Sequence, residues 1–398
     1  MYLMLQNKPV LKFDISEGQY EVLEPDLLPI KMRGAFVSNA KPNAYIHNYG
    51  VLLEYLSGRI LNLSRENAKK ILNAYHFSQS QDVVTRAKIA IACKAVSMTD
   101  DYWLNNDEMS LKWEEMNPRE NHLNEIIAHI ALIGSTLTAT GMPHTPELTG
   151  QGAYAKAWFR EKNGMYLYKA GTKNGVEDKI EIMVSNILDH FDIDHVIYQE
   201  TSFENRSVSK CKNMADDDRC IVHAEDFTSY CNRMGLNFMD EALKQGTEQI
   251  YQMCVIDYLI SNSDRHGQNW GFYMDNHTGK LLQPHPLYDH NNAFDEEEMK
   301  DPEGGHSLLF QGKTKKEAAL YAMKKCHIRC IAPLTRADFL TEEQYESFMK
   351  RACELGLYQE QKRAIFGRLR KQEKYVPIKI EQPLIKSTEH NTLKEIER

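Results

Sequence analysis

The chain has 398 residues, 26% of them charged and 42% hydrophobic, an ordinary balance for a soluble globular protein with room for two domains or one large two-lobed unit. A formal net charge of −8 gives the molecule no general attraction to nucleic acid or to an anionic membrane. The opening "MYLMLQNKPVLKF" is too short in its apolar part for a signal peptide, and no apolar run approaches the roughly 20 residues that span a bilayer, so a cytoplasmic location is expected. The eight cysteines are scattered without a CxxC pair. "CHIRC" at 326–330 lacks a second ligand pair, and reduced thiols are the better reading.

In chain order, "VLKFDI", "QYEVLE" and "LPIKM" read as short strands ahead of Arg33-Gly34. Ser64 is a good N-cap for a helix carrying Ala68, Ile71, Leu72 and Tyr75, and Asp82 for a second helix over 82–96. "HLNEIIAHIALIG" is again helical in pattern. From about 140 the texture changes: "AYAKAWF" and "MYLYKA" read as strands of a hairpin turned at Asn-Gly. A helix "EDKIEIMVSNILDHF" follows, with Ile180, Met183, Val184, Ile187 and Leu188 on one face. Strands are expected at "HVIYQETSF" and "NRSVSKCKNM", then mainly helices from about 226, interrupted by a hairpin-like stretch from Asn269 to Phe294. The expected division is an N-terminal module over 1–120, a strand-rich part over 121–210, a helical part over 211–375 and a polar tail over 376–398.

The stretch "SNSDRHGQNWGF" at 261–272 follows a buried-looking run, "YQMCVIDYLI", and gathers Asp264, Arg265, His266 and Asn269. A ribbon then returns the chain to "LYDHNNAF" with Asp289. Phosphoryl transfer from a nucleotide needs one Asp to orient the acceptor hydroxyl and take its proton, and an Asn and a second Asp to hold Mg²⁺ against the phosphates. Asp264, Asn269 and Asp289 have the order and spacing for these roles. Upstream, Gly150 and Gly152 in "TGQGAYAKAWF" allow backbone N–H groups close to an anion. Lys169 ends a strand, and Glu181, twelve residues later, is its expected partner on the following helix, with Glu177 the alternative. Each piece is weak alone; in this order they point to ATP- and Mg²⁺-dependent transfer by an α+β, bilobal protein-kinase-like fold with a small N-terminal α/β module. Trp158 and Trp270 are expected to pack rather than to stack on a ligand.

"SDRHGQN" followed by "YDHNNAF" resembles the HipA-like serine/threonine kinase family, which shares its Asp-Arg-His-x-x-Asn signature with phosphatidylinositol 3- and 4-kinases. "TGQGAYAKAWF" looks like that family's phosphate loop, and "CIVHAEDF" like the segment after its interlobe hinge. The specific resemblance covers roughly residues 140 to 360. It implies Asp264 as catalytic base, Asn269 and Asp289 as Mg²⁺ ligands, and Lys169, oriented by Glu181, on the α/β-phosphates. Gly150, Gly152 and Ala153 would cradle phosphates, His266 and Tyr288 would lie near the nucleotide, and the hinge would fall near Ser209 to Cys211. It further implies a protein substrate with a Ser or Thr acceptor and an antitoxin partner, while the acidic balance and the lack of a helix-turn-helix, basic arm or basic amphipathic segment argue against direct contact with nucleic acid or membrane. Members commonly silence themselves by phosphorylating a Ser before the Gly of the phosphate loop. Gln151 stands there in this chain, which leaves Thr149 as the nearest candidate, where a phosphate would bring about −1.5 to −2 charges into the loop. The rival readings are a small-molecule or phosphoinositide-type kinase and a non-catalytic ATP-binding regulatory module.

Overall fold

The structure, a computed structural model, describes residues 1–36, 42–139, 141, 143–172 and 175–357. The chain begins with β1 (Tyr2–Leu5), β2 (Lys8–Asp14) and β3 (Gln19–Val22), an antiparallel meander whose Val10, Leu11 and Phe13 face the core. "LPIKM" is not a strand: a single-turn 3₁₀ helix at Ile30–Met32 follows another at Pro25–Leu27, because Pro25 and Pro29 break up any ladder. Helix α1 (Pro42–Gly58), which no pattern announced, packs on α3 (Val83–Ala92), with α2 (Ala68–Ala74) between them in sequence. Asp82 caps α3 as expected, accepting from the Thr85 N–H at 2.8 Å. Ser64 does not cap α2. Residues 62–66 form a turn, the Ser64 N–H donating to Asn62 Oδ1 at 3.0 Å, and the helix starts after Asn67 in the left-handed region (φ 63°). Strand β4 (Tyr102–Asn105) pairs with β1 to complete the sheet β3-β2-β1-β4.

After α4 (Trp113–Met116) and α5 (Glu125–Ile133) comes a second antiparallel sheet, in the order β5-β6-β8-β7. Its strands are β5 (Lys156–Glu161), β6 (Gly164–Lys169), β7 (Tyr198–Phe203) and β8 (Arg206–Lys212), all where the sequence predicts them. Between β6 and β7 runs α6 (Glu177–Leu188), whose first turn carries Glu177 and Asp178, charges that suit the positive end of the helix dipole. It buries Met183, Val184, Ile187 and Leu188 against the sheet. The segment expected to hold the hinge, Ser209 to Cys211, lies within β8, and the chain leaves this sheet after Lys212. Ser209 and Cys211 are paired with Lys169 and Leu167 of β6, so the chain cannot leave the sheet there.

β9 (Arg219–His223) belongs instead to a three-stranded sheet with β10 (Gly271–Asp275) and β11 (Leu281–Pro284), in the order β11-β10-β9. Around it lie α7 (Ala224–Met234), α8 (Phe238–Leu259), α9 (Glu296–Lys300), α10 (Lys315–Ala322) and α11 (Glu342–Glu354). Helix α8 is interrupted at Gly246, where a Cβ would meet the Pro284 ring at 2.3 Å; the close approach of β11 requires glycine. Its second half, Ile250 to Leu259, is buried throughout, which makes it the spine of the helical part. Trp270 packs among Phe238 and Phe272, as expected. No described helix is long and apolar enough to cross a membrane. The tail over 376–398 lies outside the described residues.

Candidate active site

The loop after α8 is built on a buried ion pair. Asp257, in the helix's last turn, receives Arg265 Nε at 3.1 and 3.0 Å on its two oxygens and Nη2 at 3.0 Å, plus the Asn262 amide at 2.8 Å. The chain reverses at Ser261 in the left-handed region (φ 49°). The remaining guanidinium nitrogen, Nη1, donates to the carbonyls of Asn269 (2.6 Å) and Tyr288 (3.0 Å). One buried arginine therefore ties the end of α8 to the loop and to the end of the β10–β11 ribbon, and it brings Asn269 beside Tyr288–Asp289. Burial works against the Arg265 charge, but Asp257 outweighs it and holds the pKa above its usual value.

Asp264 stands half-exposed in this loop. Its Oδ2 accepts from Asn292 Nδ2 at 2.8 Å, and its Oδ1 lies 3.6 Å from His266 Nε2. Asn269 Nδ2 donates to the Asp264 carbonyl at 2.8 Å, and no protein group among the described residues pairs with its Oδ1. His266 is exposed, with Nδ1 accepting from the Gln268 N–H at 3.2 Å. The Tyr288 hydroxyl donates to the Gln268 carbonyl at 2.5 Å and lies 3.3 Å from His223 Nδ1.

Lys169 is the meeting point of the site. Its Nζ donates to Glu181 Oε1 at 2.7 Å and to Asp289 Oδ1 at 2.8 Å, with the Tyr198 hydroxyl at 3.3 Å and the Tyr198 ring beneath it. Glu181 is thus the partner. Glu177 is occupied at the start of α6, accepting from the Thr172 N–H and hydroxyl. The other Glu181 oxygen accepts from Ser209 Oγ at 3.0 Å. Burial alone would discharge this lysine, yet Asp289 and Glu181 hold its pKa well above the ordinary value. Burial would likewise raise the Asp289 carboxyl, but Lys169 and then Lys156 bring it below the ordinary carboxylate range. Asp289 has a left-handed backbone (φ 59°), which Asp tolerates better than most residues, and its Oδ2 has no protein partner among the described residues.

Above Lys169 lies the glycine-bearing loop. Gly152 has φ +96°, and a Cβ there would stand 2.3 Å from Lys156 Nζ, so the glycine leaves room for a lysine directly under the loop. Lys156 opposes Lys169 across the β5–β6 ladder, and its Nζ has no hydrogen-bonding partner among the described residues. Burial first, and then repulsion by Lys169, bring its pKa down to about 7. Tyr154 from the same loop donates to Asn292 Oδ1 at 3.2 Å, joining the loop to the residue that holds Asp264. Ala153 is exposed, and its carbonyl accepts from the Glu66 N–H at 2.8 Å. Thr149 is turned inward: it is buried, and its hydroxyl donates to the carbonyls of Val96 (2.8 Å) and Pro146 (3.0 Å). Phosphate could be added there only after the loop left this position.

Lys169, Glu181 and Asp289 thus meet directly, and Arg265 ties the loop of Asp264, His266 and Asn269 to the ribbon end beside them, while sequence reasoning missed Lys156, Tyr198, Ser209 and Asn292. Lys156 was findable, since it follows the glycines and sits between Ala155 and Ala157 on a strand, the same signal that exposed Lys169. Tyr198, Ser209 and Asn292 carry no local signal; only the pairing of β8 with β6 and the return of the chain after β11 bring them in.

The HipA-like C-terminal domain family matches residues 198–372. No curated protein sequence matches the chain. Among solved structures, HipA in the complex of the Shewanella oneidensis MR-1 toxin–antitoxin system HipA, HipB and its operator DNA is similar at 12% identity with a TM-score of 0.51, over 89% of this chain and 97% of that one. The Helicobacter pylori proinflammatory kinase CtkA is similar at 15% identity with a TM-score of 0.39, over 52% of this chain and 90% of that one. The Shewanella likeness is one of fold, and it extends across 89% of this chain. The family match, over less than half of the chain, takes in both the loop with Asp264 and the ribbon end with Asp289, and over residues 198–372 the chain is similar to the HipA-like C-terminal domain.

Proposed function

We propose that the chain is an ATP- and Mg²⁺-dependent, bilobal serine/threonine protein kinase that acts on a cytoplasmic protein. The observation that carries this reading is the single amine of Lys169 within hydrogen-bond reach of both Glu181, on the next helix, and Asp289, 120 residues on. A buried lysine held charged in this way is a ready counter-charge for the α/β-phosphates, and Glu181, itself braced by Ser209, fixes its position. Asp264 orients the acceptor hydroxyl and takes its proton as the oxygen bonds to the γ-phosphorus and ADP departs. The amides of Gly150, Gly152 and Ala153, with Lys156 beneath them, face the phosphates, and His266 and Tyr288 flank the nucleotide. Asn269 Oδ1 and the unpaired Asp289 Oδ2 are hard oxygen donors that suit Mg²⁺, whose contribution is to neutralise phosphate charge. An antitoxin-like partner protein fits the resemblance to the Shewanella HipA, whose structure includes HipB.

The test is phosphoproteomics of a bacterial host expressing the chain or its Asp264→Asn variant, together with labelled-ATP transfer by the purified proteins. Expected are Ser/Thr sites found only with the unsubstituted chain, a rate lower by about 10²–10⁴-fold in the variant, and dependence on Mg²⁺. Identical phosphoproteomes and equal labelling rates would end the proposal. Labelling of lipid vesicles alone would replace it with the phosphoinositide-type reading.

A further inference from the structure

We infer that the N-terminal module is a working part of the nucleotide site, and that Arg65 is the positioning residue through which it shapes the phosphate loop; this rests on the kinase reading above. Arg65 is 3% exposed and lies in the turn between α1 and α2. Its Nη1 donates to the carbonyls of Glu147 (3.0 Å) and Gly150 (2.9 Å), and its Nη2 to that of Lys156 (2.5 Å). These acceptors stand before, within and after the loop, so one planar guanidinium spans its two ends. The adjoining backbone joins in: the Glu66 N–H donates to Ala153 O at 2.8 Å and the Leu61 N–H to Leu148 O at 2.7 Å. Gln151 Nε2 reaches back to Gly58 O at 2.7 Å.

The consequence follows from peptide geometry. In a planar trans peptide the C=O of one residue and the N–H of the next point in opposite directions. Holding the carbonyls of Gly150 and Ala153 toward Arg65 and Glu66 therefore turns the N–H groups of Gln151 and Tyr154 away from the module. No protein acceptor among the described residues takes the amides of Gly150, Gln151, Gly152, Ala153 or Tyr154. The arginine uses up the loop's acceptors on one side and leaves its donors free on the other, which is the arrangement an anion-binding loop requires. Gly150 is part of the device, because a Cβ there would stand 2.8 Å from Arg65 Nη1. The same module also holds the segment between β8 and β9, through Arg119 to Asp217 at 2.8 Å and Gln6 Nε2 to the Asp217 carbonyl at 2.7 Å.

The experiment compares the full chain with Arg65→Ala and Arg65→Lys, measuring dissociation constants for Mg·ATP and for adenosine, phosphotransfer kinetics and Tm. If Arg65 orients the loop, Arg65→Ala weakens Mg·ATP roughly tenfold or more, the scale of losing buried hydrogen bonds, while adenosine, which lacks phosphates, binds as before. The KM for ATP rises and that for the phosphoacceptor does not, and Arg65→Lys recovers part of the loss. A merely structural role would weaken both ligands alike, and that outcome, or unchanged ATP binding in folded Arg65→Ala, overturns the inference. If Arg65→Ala fails to fold, the ATP-to-adenosine ratio of Arg65→Lys decides by the same criterion. An unsubstituted chain that binds no Mg·ATP would instead overturn the kinase reading itself.

Discussion

Two buried arginines hold the two halves of the candidate site, and they do it by different means. Arg265 fastens the loop of Asp264 and Asn269 with a carboxylate only eight residues away in sequence, Asp257, and every nitrogen of its guanidinium is used. Arg65 fastens the phosphate loop through backbone carbonyls 82 to 91 residues away, and its Nε is buried without a partner among the described residues. The pKa values follow the chemistry: Asp257 holds the first charge firmly, whereas burial pulls the second down to about 10 with only Glu147 opposing it. A charge paired with a charge makes a fixed platform. A charge shared among carbonyl dipoles makes a weaker fastening.

The largest effect should come from breaking the fixed side. Asp257→Ala leaves the Arg265 charge buried without its counter-ion, a change that costs about 3–5 kcal/mol, a large share of the total stability of a typical domain. Urea unfolding should show a midpoint shifted far down, with phosphotransfer lost alongside. Arg65→Ala removes the buried charge itself and strands only carbonyls, so its midpoint should fall much less. Equal shifts in the two variants would remove the distinction between platform and fastening.

The same contrast explains what could be read in the sequence. Asp264, Asn269 and Asp289 were legible because Arg265 and Asp257 are local: the buried face of α8 runs directly into the loop, and the ribbon that returns Asp289 is a short antiparallel hairpin. Lys169 and Glu181 were legible for a like reason, an end-of-strand lysine followed by one amphipathic helix. The long helix α1, the 3₁₀ turns where "LPIKM" suggested a strand, and the turn that displaced the start of α2 from Ser64 were not. Their conformations are decided by partners far along the chain, among them the carbonyls of the phosphate loop that Arg65 and Glu66 serve. Strand propensity shows that β8 forms but not that it pairs with β6 through Lys212, so the point where the chain leaves that sheet was not legible either.

A smaller effect should follow at the contact between the halves, where Tyr154 reaches Asn292 and Asn292 reaches Asp264. Asn292→Ala leaves the aspartate without the amide that fixes its rotamer. The group is partly exposed and water can substitute, so about 1 kcal/mol of orientation is at stake, or roughly a fivefold fall in kcat. The KM for ATP and the Tm should stay unchanged. A drop in Tm without a change in kcat would show that the asparagine serves the fold and not the aspartate.

The finest test concerns Lys156 under the phosphate loop, whose amine pairs with no carboxylate among the described residues. With a pKa brought down to about 7, it is charged in the free protein below that pH and neutral above it. A bound triphosphate favours the charged form, so binding above pH 7 must draw a proton from solvent, and each further pH unit makes that harder. ATP affinity should therefore be flat below about pH 7 and weaken from pH 7 to 9, by at most tenfold per unit, the limit for one proton. Lys156→Met should bind ATP more weakly at pH 6.5 and show none of this slope, while Lys169, held charged by Glu181 and Asp289, contributes no change in that range. Calorimetry in two buffers of different ionisation enthalpy reads the proton uptake directly, and an uptake near zero at pH 8 would mean that the lysine under Gly152 does not meet the phosphates.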